Sequence, residues 1–420
     1  MTTGTMQLER HTPDSLRATA RRIMAAGEAL RAMHFDDVVR GLAQATKQLQ
    51  MPETMLGQEA AALLPGSTGL SPEMVRWGLH ASLHRVTEAS LFELGRSPTP
   101  PTNGAVLTRA RLAVTVLSAN VFTACVEPIL CALLARVPLV VKASSRDDVF
   151  PRLLALALRD AHPALGDAFE VVTFPGGDTA LEDALFAEAD VVSVYGHDAT
   201  IQSVRGRITA TTVFVAHGTG MGALYVANSA LGSASDAAHT AALIAEDVIA
   251  YDQRGCLSPH VVFAQGDAGV SPRDFAEILS RDGIAEAARR LPRGPLPTAD
   301  AAAQMQWRGV AVTRGELFEG STHAVSYEQQ GPLRLSPGYR NISVIAVRDL
   351  DEVITRMQPL GAHWKALGMA THPTALREAH LKLPPPLCPR ISPAGQMQSP
   401  PLDAISDGSS RWDGLIRWIA

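Results

Sequence analysis

One cysteine stands on a turn between a helical pattern and an apolar run. The stretch 250–260 reads AYDQRGCLSPH. Before it, Ala237, Ala241, Ile244, Ala245 and Val248 recur at helical spacing, and Ser233 with Asp236 three residues on suits a helix start. After it, Val261, Val262 and Phe263 read as a short buried strand. Gly255 frees the backbone and Pro259 stiffens the exit. A thiol on such a turn can be presented into a cleft, where Arg254 would lower its pKa and raise the thiolate fraction. The pattern fits a buried structural cysteine equally well, and these residues alone leave both roles open.

Other candidates sit where strands end. Asn120 follows an apolar run, as a turn former or as an amide aimed at a developing oxyanion. Lys142 closes the run Leu139–Lys142 and is followed by Ala143, Ser144, Ser145 and Arg146. Either it extends from a strand end into solvent, or it holds a nucleotide. With no acidic residue in 142–146 to take a ribose 2′-hydroxyl, Lys142 and Arg146 suit the 2′-phosphate of NADP(H). His217 and His260 are candidate proton donors. Residues 218–223 (GTGMGA) match the G-x-G-x-x-A fingerprint. A strand-like run follows them, so a glycine turn against a ligand is the better expectation than a dinucleotide helix. No His, Cys, Asp or Glu cluster has metal-ligand spacing.

The elements that must position these residues alternate. Leu112–Leu117, Leu139–Lys142, Phe169–Thr173, Asp190–Val194 and Thr212–Val215 read as strands, with helical patterns between them. That rhythm predicts a doubly covered parallel sheet whose ligands sit at the carboxyl ends of its strands. The residues there are Asn120, Lys142 to Ser145, Gly176 and Gly177, Tyr195, Gly196 and His197, and His217 and Gly218. Four helical patterns precede the sheet: Leu16–Met33, Asp36–Leu49, one from Pro52 to near Pro65, and one from Ser71 through Leu91. Arg96–Asn103 reads as a Pro-rich linker. The expected division is 1–100 helical, 101–230 nucleotide-binding, 231–380 carrying the cysteine, and 381–420 a tail that docks back.

The chain has 420 residues, 46% hydrophobic and 19% charged, enough for a globular protein of two or three domains. A net charge of −5 without a basic block gives nucleic acid nothing to hold. Four cysteines without C-x-x-C spacing suit a reducing cytoplasm. No uncharged apolar run approaches the ~18 residues of a spanning helix.

The order of these features resembles the aldehyde dehydrogenase superfamily. In detail, 140–147 (VVKASSRD), 251–259 (YDQRGCLSP) and 390–398 (RISPAGQMQ) look like its acyl-CoA reductase branch, the LuxC-like family of bioluminescence fatty acid reductases, over roughly 70–420. The resemblance implies a Rossmann-type cofactor domain beside a second α/β domain carrying the cysteine. It makes Cys256 the thiol that holds an acyl group, Asn120 the oxyanion amide, and Lys142 and Ser145 adenosine-side contacts. The implied reaction is NADPH-dependent reduction of an acyl-CoA or acyl-carrier thioester to a fatty aldehyde, with an acyl-donating partner enzyme and a homo-oligomer as expected associates. The chain departs from the superfamily where a Glu-Leu-Gly-Gly segment activates water, since Ala216, His217, Gly218 and Thr219 stand there. It also lacks the Glu-x-Phe-Gly-Pro segment that grips the nicotinamide ribose. Without that glutamate, reduction of a thioester fits better than oxidation of an aldehyde. The alternatives are an aldehyde dehydrogenase, an acyl-phosphate reductase, a cysteine thioesterase or acyltransferase using Cys256 and His217, and a non-catalytic relative.

Overall fold

A computed structural model describes residues 10–96, 104–329, 332–404, 408 and 410–419. The expected linker at 96–103 lies almost wholly outside the described residues. Five helices come first. Pro13–Ala32 starts on a capping box, in which Thr12 accepts from Ser15 N and the Ser15 hydroxyl is matched to Thr12 N. Phe35–Gln50 follows, then Met55–Thr68, which runs past Pro65 and closes on left-handed Gly69 (φ 68°). The single pattern from Ser71 through Leu91 divides into Pro72–Leu83 and Glu88–Arg96.

Among the described residues the strands are β1 (Val106–Arg109), β2 (Ala113–Val116), β3 (Leu139–Ala143), β4 (Phe169–Thr173), β5 (Val191–Tyr195), β6 (Val213–His217), β7 (Met221–Val226), β8 (Pro259–Gln265), β9 (Glu316–Glu319), β10 (Ala324–Glu328), β11 (Asn341–Val347), β12 (Trp364–Ala370), β13 (Arg390–Pro393) and β14 (Ile416–Ile419). β4-β3-β2-β5-β6 form an all-parallel sheet. Alternate side chains face opposite ways. Val114, Val116, Val140, Val192 and Val194 pack on one face beneath Leu16, Ala20 and Ile23 of the first helix. Ala113, Leu139, Val141 and Val171 face helices Val126–Leu134 and Val149–Ala161.

The second sheet runs β13-β12-β7-β8-β11-β10-β9, parallel except for the edge pair β10 and β9. β7 belongs to this sheet, so the chain crosses between sheets at 218–220, ahead of the boundary expected at 230. The glycines of 218–222 lead into β7 and not into a helix. Helix Ala234–Ile249 backs the second sheet, and helices Leu350–Met357 and Pro373–Lys382 cover its outer face. After β13 the tail returns to the first half, where β14 pairs antiparallel with β1. Among the described residues no helix is long and apolar enough to cross a membrane.

β7 crosses the cysteine turn at close range. A Cβ on Gly222 would lie 2.6 Å from Leu257 O and 2.7 Å from Met397 Cε. A backbone carbonyl cannot step aside as a side chain can. Gly222→Ala is therefore expected to cost about 1–3 kcal/mol, read as a lower urea midpoint.

Candidate active site

Helix Ala234–Ile249 begins on Ser233, whose Oγ accepts from Asp236 N at 3.2 Å. It ends in three consecutive left-handed residues, none of them glycine: Tyr251 (φ 49°), Asp252 (φ 53°) and Gln253 (φ 61°). Each costs on the order of 1–3 kcal/mol unless its surroundings fix it, and here they do. Tyr251 Oη lies 3.0 Å from Ser82 Oγ and 2.9 Å from Thr123 Oγ1. Asp252 Oδ1 accepts from Arg340 Nε at 3.0 Å and Nη2 at 2.7 Å, and its Oδ2 accepts from Gly294 N at 3.0 Å. Gln253 donates to Pro259 O (2.6 Å) and Asn341 O (3.0 Å) and accepts from Arg340 N (2.7 Å). Opposite lies a second left-handed run, Gly338, Tyr339 and Arg340, at φ 78°, 51° and 71°. Arg340 is fully buried, and burial pulls its pKa down while Asp252 pushes it up.

Out of this rigid knot the chain turns through Gly255 and Cys256 into β8, with Ser258 N on Gly255 O at 3.0 Å. Cys256 is exposed, which removes the structural role left open by the sequence; Cys125 and Cys131 are the buried thiols. Burial drives both of those upward, Cys131 to about 12. Cys388 is exposed too, on the tail beside Gly408.

Arg254 bonds two backbone carbonyls. Its Nη1 donates to Thr68 O at 2.9 Å and its Nη2 to Asn120 O at 3.1 Å. Asn120 is exposed beyond the end of β2, and the next residue, Val121, lies against the cysteine turn: its Cγ2 would be 3.3 Å from a Cβ on Gly255. The expected nucleophile and oxyanion amide thus come from neighbouring pieces of backbone. The wall behind them is the tail. Asp247 accepts from Gly395 N at 2.6 Å and Met397 N at 2.9 Å, Arg390 bonds Met397 O, and Gln398 faces Gly255. His260 braces the second left-handed run, with Nδ1 2.9 Å from Ser336 O. Burial lowers its pKa.

The remaining candidates gather at the carboxyl edge of the five-stranded sheet. Lys142 is buried, its Nζ 5.0 Å from the Phe174 ring centre, and burial lowers its pKa against the pull of Glu182. Gly176 lies beside that nitrogen, and Gly177 (φ 84°) donates to Glu182 Oε1 at 3.1 Å. Ser144 Oγ accepts from Arg146 N, while Ser145 and Arg146 are exposed. Tyr195 and His217 stack at 4.2 Å and 17°. Gly196 N donates to His217 O, His197 Nδ1 lies 3.2 Å from Thr219 Oγ1, and Gly218 sits near Asp198. Burial, then Glu127, holds the Tyr195 hydroxyl well above its ordinary pKa. Below this stack is a cavity of about 50 Å³ with a mixed lining that includes Thr115, Glu127, Cys131, Leu139, Val215 and Arg411. Glu127 is paired with Arg411 at 3.0 Å. Among the described residues no three His, Cys, Asp or Glu side chains gather to hold a metal.

Asp252, Gln253, Arg340, Asp247 and the 395–398 loop lay beyond sequence reasoning. The 390–398 motif was the one signal that the tail belonged near the cysteine.

The family model for acyl-CoA reductase (LuxC) matches residues 30–418. No curated protein matches the chain. Among solved structures, the putative aldehyde dehydrogenase PutA from Anabaena variabilis superposes with a TM-score of 0.73 at 16% identity, over 97% of this chain and 92% of that one. Aldehyde dehydrogenase 21 from Physcomitrella patens, in complex with succinate, gives 0.73 at 13%, over 98% and 90%. An NAD-dependent aldehyde dehydrogenase from Sinorhizobium meliloti gives 0.73 at 15%, over 98% and 87%. At these identities the likeness is one of fold, and the fold is aldehyde dehydrogenase-like.

Two outcomes are expected here. Arg340→Met strands a buried carboxylate on Asp252 and is expected to lower stability by about 3–5 kcal/mol, measured by urea unfolding. Burial pushes the Asp247 carboxyl up to about 7, against the opposing pull of two N–H donors and Arg390. A carboxyl raised in the folded state binds its proton more tightly there, so its contribution is whole below the ordinary aspartate range and is lost as pH rises toward about 7. The expected slope approaches ~1.4 kcal/mol per pH unit, and Asp247→Asn should flatten it in urea titrations across that window.

Proposed function

The match over residues 30–418 makes this chain a member of the acyl-CoA reductase (LuxC) family, and on that premise we propose that it reduces a fatty acyl thioester, carried by CoA or a carrier protein, to a fatty aldehyde with NADPH through an acyl group held on Cys256. The observation that carries this reading is the exposed thiol on a braced turn, beside Asn120 and close to the nucleotide-type edge of the first sheet.

That edge suits a dinucleotide. Gly176 leaves backbone uncovered beside Lys142 Nζ, and Ser145 and Arg146 stand exposed. Lys142, Ser144, Ser145 and Arg146 would hold the adenosine side, the cations Lys142 and Arg146 serving a 2′-phosphate; Gly176, Gly177, Tyr195, Gly196, His197 and Gly218 would line the remainder. Bound there, the dinucleotide supplies the hydride that converts the acyl group to an aldehyde. Cys256 attacks the thioester carbonyl as thiolate; the carbon–sulfur bond to the carrier breaks, and the carrier's sulfur leaves and takes a proton. The Asn120 amide donates to the carbonyl oxygen as it gains charge, an interaction worth on the order of 10²–10³ in rate. Collapse of the final oxyanion breaks the bond to Cys256 Sγ and returns the thiolate. His217, the last residue of β6, would be the proton donor to the departing groups. Ala216 and Gly218 flank it, and Glu127 in the cavity below is committed to Arg411. Residues 216–219 themselves carry no carboxylate to activate water, and the Asp198 carboxylate beside Gly218 lies 3.3 Å from His363 Nε2, which supports reduction over hydrolysis.

With a long-chain acyl-CoA and NADPH, the purified protein is expected to consume NADPH and release CoA and aldehyde together, and Cys256→Ala to abolish all three. Activity surviving in Cys256→Ala would refute the acyl-cysteine. CoA release without NADPH loss would establish a thioesterase, and equal rates with NADH would remove the roles given to Lys142 and Arg146.

A further inference from the structure

Arg254 stands two residues before the candidate nucleophile, and its guanidinium ties together three parts of the chain that are remote in sequence. One Nη bonds Thr68 O, the last residue of helix Met55–Thr68, at 2.9 Å; the other bonds Asn120 O at 3.1 Å. Bonds from a charged donor are stronger than those between neutral groups, and a planar fork that spans two carbonyls fixes direction as well as distance. Holding Asn120 O fixes the peptide plane between Asn120 and Val121. One residue on, Val121 packs against Gly255, its Cγ2 3.3 Å from where a Cβ would stand. Asn120 is therefore gripped from both sides by the turn that presents Cys256, although its own side chain is exposed.

We propose that Arg254 is a positioning residue that sets the Asn120 amide against Cys256, and that it does not act by activating the thiol. The inference rests on the reading that Asn120 and Cys256 serve the reduction. An amide that must meet a developing oxyanion tolerates little displacement, since a shift of about 1 Å can cost on the order of 10²-fold in rate.

The test compares Arg254→Lys, Arg254→Met, Asn120→Ala and Asn120→Ala/Arg254→Met in the full-length protein. Two quantities are measured: kcat and KM with acyl-CoA and NADPH, and the pH dependence of Cys256 alkylation by iodoacetamide, with Cys256→Ala as the blank for Cys388. In Arg254→Met we expect kcat to fall about tenfold or more, with both KM values and the alkylation pKa unchanged. Arg254→Lys keeps the charge but lacks the fork, so it should fall similarly. The double variant should be no slower than Asn120→Ala, because both changes remove one interaction. An upward shift of the alkylation pKa in Arg254→Met, with Arg254→Lys at the wild-type rate, would establish an electrostatic role and overturn the proposal. Additive losses in the double variant would overturn it too. Asn120→Ala at full rate would remove the oxyanion reading and this inference together. A slow Asn120→Ala beside a fast Arg254→Met would remove the inference alone.

Discussion

The ion pair between Asp252 and Arg340 is the constraint on which the candidate site depends. Each partner sits inside a run of left-handed residues, and neither run is stable by itself. They hold each other. Arg340 gives its guanidinium to Asp252 and its backbone N–H to Gln253, while Gln253 reaches across to the first residue of β11. A buried ion pair is a poor source of net stability, because desolvating two charges offsets most of their attraction. Its contribution here is geometric: it fixes the direction in which the chain leaves helix Ala234–Ile249, and so where the Cys256 turn points.

The first half of the fold was legible in sequence and the second much less so. Strands β2 to β6 are near-continuous apolar runs joined by short helices, a period change that can be read directly. In the second sheet the runs at Leu224–Val226, Val261–Phe263 and Ile342–Ala346 read as strands, while β9, β10, β12 and β13 are hidden. β12 reads WKALGMA, whose small residues are required by packing and mimic a helix; a Cβ on Gly368 would lie 2.6 Å from Leu224 Cδ2 and Met397 Sδ. β10 carries Ser326, buried and bonded at 3.0 Å to Ser343 of β11, so a polar letter stands where an apolar pattern was sought. Helix Thr298–Arg314 was also missed; it buries Gln304 and Trp307 yet leaves Met305 and Val312 exposed, an inverted pattern.

At the site, residue types were informative and connections were not. Cys256, Asn120 and Lys142 were visible because a residue at a strand end or on a turn has a recognisable setting. The left-handed run 251–253 was invisible because it contains no glycine, and its conformation is imposed by Ser82, Thr123, Gly294 and Arg340, far along the chain. Arg254 was seen, but proximity in sequence suggested the thiol as its partner. What the sequence did not show is that its two terminal nitrogens bond carbonyls of distant segments.

The strand order of the second sheet bears on how the molecule comes together. Every strand of the first sheet lies within residues 113–217, so its closures are short. In the second sheet β7 lies between β8 and β12, and β8 between β7 and β11. Bringing such distant segments together requires closing long loops, whose entropy must be met before any contact repays it. A refolding chain therefore completes a nucleotide-type sheet early, and the turn bearing Cys256 takes its final shape late, once β11 and the 395–398 loop have arrived. In that interval the thiol is already exposed but not yet aimed, and the half-formed second sheet offers open strand edges to its neighbours. Assembly yield, and not only final stability, is then sensitive to changes in the knot around Asp252.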